Sequence, residues 1–422
     1  AAHTVFVPSG PYRIRRTLYL WRGVRIIGYG ATRPVFFLPP NTPGYQEGIG
    51  LMVMFTGAAP PGAGRGGPGI GAGRGGPARA GGAGPAGRGG RGGRAGGGAP
   101  FRVPFPPPGT VPPNPNIPDA NPGTFYPAMS NIDFEIGDGN PAAIAIRFHA
   151  AQHAFLTHMD FHVGSGLAAL TEVGNEAEDL HIEGGCYGII TDNTSPYWQF
   201  TLIGSVIEGQ RDAAIREHLA QLTLIRDTLR NVPVGVDIDP HYFDELWVKD
   251  SRFEHVSHAG IVISDEHNPQ TEIGVENAVC DDVPVFAAFR ESGKKQSAPG
   301  PIYRVSAFNY GLFIPGLGMT GHFDTTYQAE RLNAAPAPLP AAIRALPPTT
   351  EWVNVHTLGV KGDGQTDDTA AIKQAVASHR VLYFPSGLYV VRDTITLKPD
   401  TVIIALHPGT TQFDLPDNTP GF

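Results

Sequence analysis

Between residues 130 and 314, apolar and polar positions alternate in short runs that recur at a near-constant step. The runs begin near Asn131, Phe155, Leu180, Leu202, Leu224, Trp247, Ile273 and Tyr303, mostly 22–26 residues apart with one interval of 30. Each unit holds an apolar strand, a polar break of two or three residues carrying Asp, Asn or Gly, and a second apolar pair. Period-two alternation predicts strands, and the break offers residues that accept a tight turn. A unit this small cannot bury its own inner face, so units must stack and share one continuous core. The pattern therefore predicts an all-β fold, a parallel β-helix with one coil per unit. Helical periodicity is nearly absent here, which argues against a doubly wound sheet or a TIM barrel.

The segment 5–45 is written again, 377 positions later and without a gap, at 382–422. Val7, Pro8, Ser9, Gly10 and Tyr12 recur as Phe384, Pro385, Ser386, Gly387 and Tyr389, and Asn41, Thr42 and Pro43 as Asn418, Thr419 and Pro420. An echo that keeps turn and strand residues in register marks a duplicated domain. The expected organisation is a first β-helix over 1–332, an Ala/Pro linker over 333–350, and the opening coils of a second, truncated β-helix over 351–422. Ahead of the second echo, Thr366 or Asp367 suits a helix N-cap. Ile372, Ala375 and Val376 form the apolar stripe of a helix that would plug the open end of the core. A Gly/Arg/Pro-rich insertion occupies 57–128. Its part 57–100 contains only Gly, Ala, Pro and Arg apart from Ile70, too little apolar surface to offset ordering entropy, and is expected to be disordered.

The formal net charge is -8, yet six of the 31 basic residues lie within 57–100, where there is no acid. Without that stretch the body carries 25 basic and 39 acidic residues, a net of -14. Such a body repels nucleic acid and other polyanions and favours a neutral polymer as partner. The insertion lacks aromatics over 57–100 for base stacking, so it reads as a surface-loop expansion. No run of 18 apolar residues is present, and no membrane span is expected. Cys186 and Cys280 are too few for a disulfide framework. At about four coils apart, roughly 19 Å, they lie beyond bridging reach and read as buried thiols.

The run GVKGDGQTDDTAAI (359–372), followed by LYFPSGLYVVRDTITL (382–397), resembles the opening signature of the pectate-lyase-like superfamily, in its rhamnogalacturonase/epimerase branch. With GYGATRPVFFLPPNTPGY (28–45) in the first copy, the tandem arrangement most resembles glycoside hydrolase family 55. That resemblance implies two right-handed parallel β-helices side by side, exo-β-1,3-glucanase activity with inversion by an activated water, no cofactor, a monomer, and a secreted or periplasmic protein. It also implies a general-acid glutamate several coils into the second β-helix. No residue up to Phe422 matches it, so the chain is expected to be inactive alone.

Candidate chemistry concentrates in 184–218. The Gly-rich turn at Gly184 and Gly185, the strand Trp198-Gln199-Phe200-Thr201, and Arg216-Glu217-His218 resemble the family pattern whose glutamines and a following aromatic line the cleft. Carried over, Gln199, Glu217 and His218 are candidate catalytic residues, and Trp198, Tyr187 and Arg216 candidate substrate contacts. Trp198 stands where the family has a glutamine, and could instead offer a stacking platform for a sugar ring. The plainer readings are a buried Trp198, a polar ladder at Gln199 and a solvated turn at Glu217 and His218. The pair Asp367 and Asp368 is explained by helix capping. Further acid and His groups at Asp237, Asp239, His241, Asp244 and Glu245, at Glu254, His255 and His258, and at Asp265, Glu266 and His267 could form a stripe along one groove wall. They show no zinc spacing, and no metal is assigned. Two alternatives stay open: a lyase or polygalacturonase on uronic-acid polymers, and a non-catalytic, tailspike-like glycan-binding β-helix.

Overall fold

The computed structural model describes residues 3–57, 117–118, 120, 124–191 and 199–419. The low-complexity run 58–100 and Trp198 lie outside these. The chain winds as a parallel β-solenoid with three faces. On the first face Phe155, Glu176, Thr201, Thr223, Trp247 and Gly274 are successive register partners, one per coil. Alternation decides which side chains turn inward. Leu202, Leu224, Val248 and Val275 stack in one inner row, at most 2% exposed. Fully burying each is worth about 1.5–3 kcal/mol, so the inner rows carry the stability of the column.

The polar breaks are its corners. Asn131, His158, Asp179, Gly204, Arg226, Asp250 and Asn277 all sit between the first and second faces, with φ of 52–60°. One left-handed residue per coil makes the bend, which explains the Asn, Asp and Gly seen there. Just beyond, side chains tie coil to coil. Ser205 Oγ accepts from Leu180 N at 3.0 Å, Asp227 Oδ1 from Ser205 N at 2.7 Å, and Ser251 Oγ from Asp227 N at 3.2 Å.

The last predicted unit is not a coil. The strand Ile302–Phe313 pairs antiparallel with Glu272–Asp281, and His322–Arg331 pairs antiparallel with it in turn. This hairpin caps the column. Alternation reads the same in both directions, so the strand was legible and its direction was not. Cys280 is buried, but Cys186 is only half-buried, so one of the two expected buried thiols is partly open; both are free.

The segment 333–350 runs back along the column. Pro336 O accepts from Arg252 Nη1 at 2.8 Å and Pro340 O from Arg226 Nη1 at 2.9 Å, while Ala341 lies over Gly204. Each step moves the chain toward the opening coil. There the second copy forms two three-stranded parallel sheets and its own core around Val355, Phe384 and Tyr389. The echo is structural as well. Tyr12 OH donates to Pro8 O at 3.0 Å, and 377 residues on Tyr389 OH donates to Pro385 O at 2.8 Å. Thr42 Oγ1 donates to Pro39 O, as Thr419 Oγ1 does to Pro416 O, at 2.7 and 2.6 Å. Helix α1 (Thr369–Ser378) buries Ile372, Ala375 and Val376 against this second core. Asp367 Oδ1 accepts from Thr369 N at 3.0 Å, whereas Thr366 bonds Asp363 instead. Asp368 serves the loop before the helix, where its buried carboxylate accepts from Lys361 N and Gly362 N and so folds the glycine-rich turn.

Candidate functional site

On the third face, the register row Arg147, Thr171, Ile190, Arg216, Asp237 and Val262 points away from the core yet is buried. Buried charges need partners, and this row has them. Arg216 Nε lies 3.1 and 3.0 Å from the two carboxylate oxygens of Asp239, and its guanidinium stands 5.5 Å from the ring centroid of Tyr187. Tyr187 OH donates to Asp212 at 2.6 Å. Arg290 Nη2 pairs with Asp237 at 2.5 Å, and Arg147 pairs with Glu172. His218 packs its ring on Tyr242, with centroids 3.5 Å apart. Burial lowers its pKa to about 4 against the opposing pull of Asp239, so the imidazole is neutral at pH 7. Of the residues expected from the sequence, Arg216 thus pairs with Asp239, Tyr187 packs against the Arg216 guanidinium and bonds Asp212, and His218 feels the charge of Asp239. Gln199 does not join them; it is exposed at the start of the first-face strand Phe200–Ile203. Trp198 lies outside the described residues.

Glu217 is not on a solvated turn. It ends the strand Ala213–Glu217 and has no solvent exposure. Its carboxylate accepts from Thr191 Oγ1 at 2.5 Å and Ala220 N at 2.6 Å. Asp244, 1% exposed, lies beside it, and among the described residues neither of its oxygens makes a well-formed hydrogen bond to a donor, the nearby Glu245 N–H only partly offsetting its burial. The contact between the two carboxyls therefore needs one shared proton. Burial, first of all, raises Glu217 to about 7 and Asp244 well above the usual carboxylate range. Such a pair can hold a proton at neutral pH, but no substrate reaches it.

The acid and His groups do not form one wall. Asp237 lies on the third face, Glu245 on the first and Glu254 on the second. Among the described residues no group of three or more such side chains could hold a metal ion. Among the described residues no helix is long and apolar enough to cross a membrane.

A cleft of about 240 Å3 separates the two copies. The first copy contributes Arg25, Phe155, His158 and Glu178, and the linker and second copy contribute Arg344 and Leu406. The copies touch directly: His407 Nε2 donates to Gly23 O at 2.9 Å, and Gly409 N donates to His407 Nδ1 at 2.9 Å. One acceptor and one donor fix a neutral imidazole, and burial lowers its pKa further.

The family model described as rhamnogalacturonase A/epimerase, pectate lyase-like, matches residues 352–405, the opening of this second copy. Residues 352–405 thus match a pectate-lyase-like domain, and the described chain winds as a β-solenoid consistent with that superfamily. Two curated relatives share short stretches with it. A glucan 1,3-beta-glucosidase of Cochliobolus carbonum is 37% identical over 60 residues, 13% of this chain and 8% of the relative. A pre-neck appendage protein of Bacillus phage B103 is 43% identical over 51 residues, 12% of this chain and 6% of the relative. The matches thus span less than a tenth of either relative's length. Among solved structures, ORF18 of Geobacillus virus E2 aligns with 82% of this chain and 72% of its own, at 8% identity and a TM-score of 0.32.

Proposed function

We propose that this pectate-lyase-like chain is part of a secreted glycoside hydrolase acting on β-1,3-glucan or a related neutral glucan. The observation that carries the reading is the duplicated column laid beside the first, which leaves a cleft between the copies. The short match to a glucan 1,3-beta-glucosidase supports the same substrate class, and the acidic body disfavours a uronic-acid polymer. In this reading Trp198 and exposed Gln199 contact sugar, with Tyr187 and Arg216 shaping the surface behind them. Glu217 and His218 act indirectly, holding the strand end that carries Arg216. Division at 1–332, 333–350 and 351–422 belongs to the same proposal. Affinity electrophoresis tests it: laminarin in the gel should retard the chain and polygalacturonate should not. Retardation by polygalacturonate alone would replace the neutral-glucan reading with a uronate-acting one.

A further inference from the structure

The cap end of the first face, several coils from the second copy, holds an open cavity of about 420 Å3. That size falls within the range of roughly 300–1,000 Å3 typical of small-molecule sites. Four adjacent strands form it, so it spans about 14 Å across the sheet at ~4.8 Å per strand. Its floor is one outward register row: Trp247, Gly274, Asn309 and Thr326. Trp247 is 42% exposed although Leu246 and Val248 beside it are buried. The six-membered ring lies over Gly274, where an added Cβ would come within 2.5 Å of Cε3 and 2.6 Å of Cζ3. Glycine at 274 is therefore what lets the indole sit where it does.

Around the indole stand Glu245, Glu272, Asp324 and Asn309. Gln221 Nε2 holds Glu245 Oε2 at 2.7 Å. Carboxylates accept from hydroxyl groups, and the amide can both donate and accept. The lining holds no Lys, Arg or His, so a uronate or phosphate would meet only like charge. The acids do not form a cation cluster either, since none exists among the described residues. We infer that this cavity is a binding subsite for an uncharged pyranose unit, with Trp247 as its stacking platform and the three carboxylates and Asn309 as hydroxyl partners. The open, multi-strand shape suits a segment of a glycan chain better than a free monosaccharide. The subsite does not depend on the β-1,3-glucan reading, because any neutral pyranoside meets these requirements.

The test titrates the 422-residue chain with laminari-, cello-, manno- and xylo-oligosaccharides, with oligogalacturonate as the charged control, by calorimetry. At least one neutral oligosaccharide should bind, oligogalacturonate should not, and Trp247→Ala should weaken binding at least about tenfold, with Trp247→Phe close to the wild type. In the wild-type chain the Trp247 indole N–H resonance, identified by its loss in Trp247→Phe, should shift on saturation, which keeps the test independent of how Trp247→Ala folds. Unchanged affinity in a folded Trp247→Ala, an unmoved resonance, or no neutral ligand at all would overturn the inference. Binding of manno- or xylo-oligosaccharides without laminari-oligosaccharides would leave the subsite standing and remove the β-1,3-glucan reading.

Discussion

Replacing Glu217 by glutamine separates the shape of this buried side chain from its charge. The carboxyl has no solvent exposure, and its titration is raised from 4.5 to about 7 by burial. A folded pKa above the unfolded one means that the folded state holds the proton more tightly. Its stabilising contribution is complete below about 4.5 and is lost as pH rises through about 7. The difference is worth roughly 3 kcal/mol. In Glu217→Gln the amide oxygen can still accept from Ala220 N, and the amide nitrogen can donate to Asp244, replacing the shared proton. The variant should therefore match the wild type near pH 5 and exceed it by up to about 3 kcal/mol near pH 8. Urea-unfolding midpoints measured across that range provide the readout. A wild-type midpoint that stays flat or rises from pH 5 to 8 would refute the reasoning. So would a Glu217→Gln midpoint lying as far below the wild type at pH 8 as at pH 5.

Other outcomes follow from the same contacts. Asp227→Ala strands two backbone donors, buried Ser205 N and part-buried Ile225 N, and should cost about 2–4 kcal/mol; Asp227→Asn should cost less, and equal losses in urea unfolding would argue against the ladder. Gly28→Ala would place a Cβ 1.8 Å from Asn131 O and should destabilise by about 3 kcal/mol or more, seen as a lowered melting temperature. His407 is held neutral with a lowered pKa, so its contribution is present above the ordinary histidine value and is lost as pH falls through it. Proteolysis of the 333–350 linker should accordingly accelerate below about pH 6.5, and a His407→Gln variant should lose that acceleration.

Much of the fold was written in the chain because corners and inner rows have distinct chemistry. Asn131, Asp179, Gly204 and Asn277 announce left-handed bends, and the echo of Tyr12 in Tyr389 repeats a hydrogen bond as well as a residue. Strand direction left no such mark, and Ile302–Phe313 therefore read as one more coil. The site was harder to read. Glu217 takes an inward position at a strand end, which only the register with Ile238 reveals. The apolar run Leu246-Trp247-Val248 hides which residue faces out; Gly274 on the next coil is the signal, and it needs the register to be recognised. Arg216 and Tyr187 stood out because they cluster in sequence with a Gly-rich turn, whereas Asp239, the partner of Arg216, arrives a coil later.

The proposed glucan cleft depends on the second copy lying against the opening coil of the first. Cysteines placed at Arg25 and Leu406, whose side chain and carbonyl are 3.4 Å apart, in a background lacking Cys186 and Cys280, measure that contact with a short bifunctional thiol crosslinker. After cleavage within 333–350, the two fragments should remain joined in one intramolecular product. Fragments that separate completely, with the uncleaved chain still folded, would contradict the side-by-side arrangement and the cleft it creates.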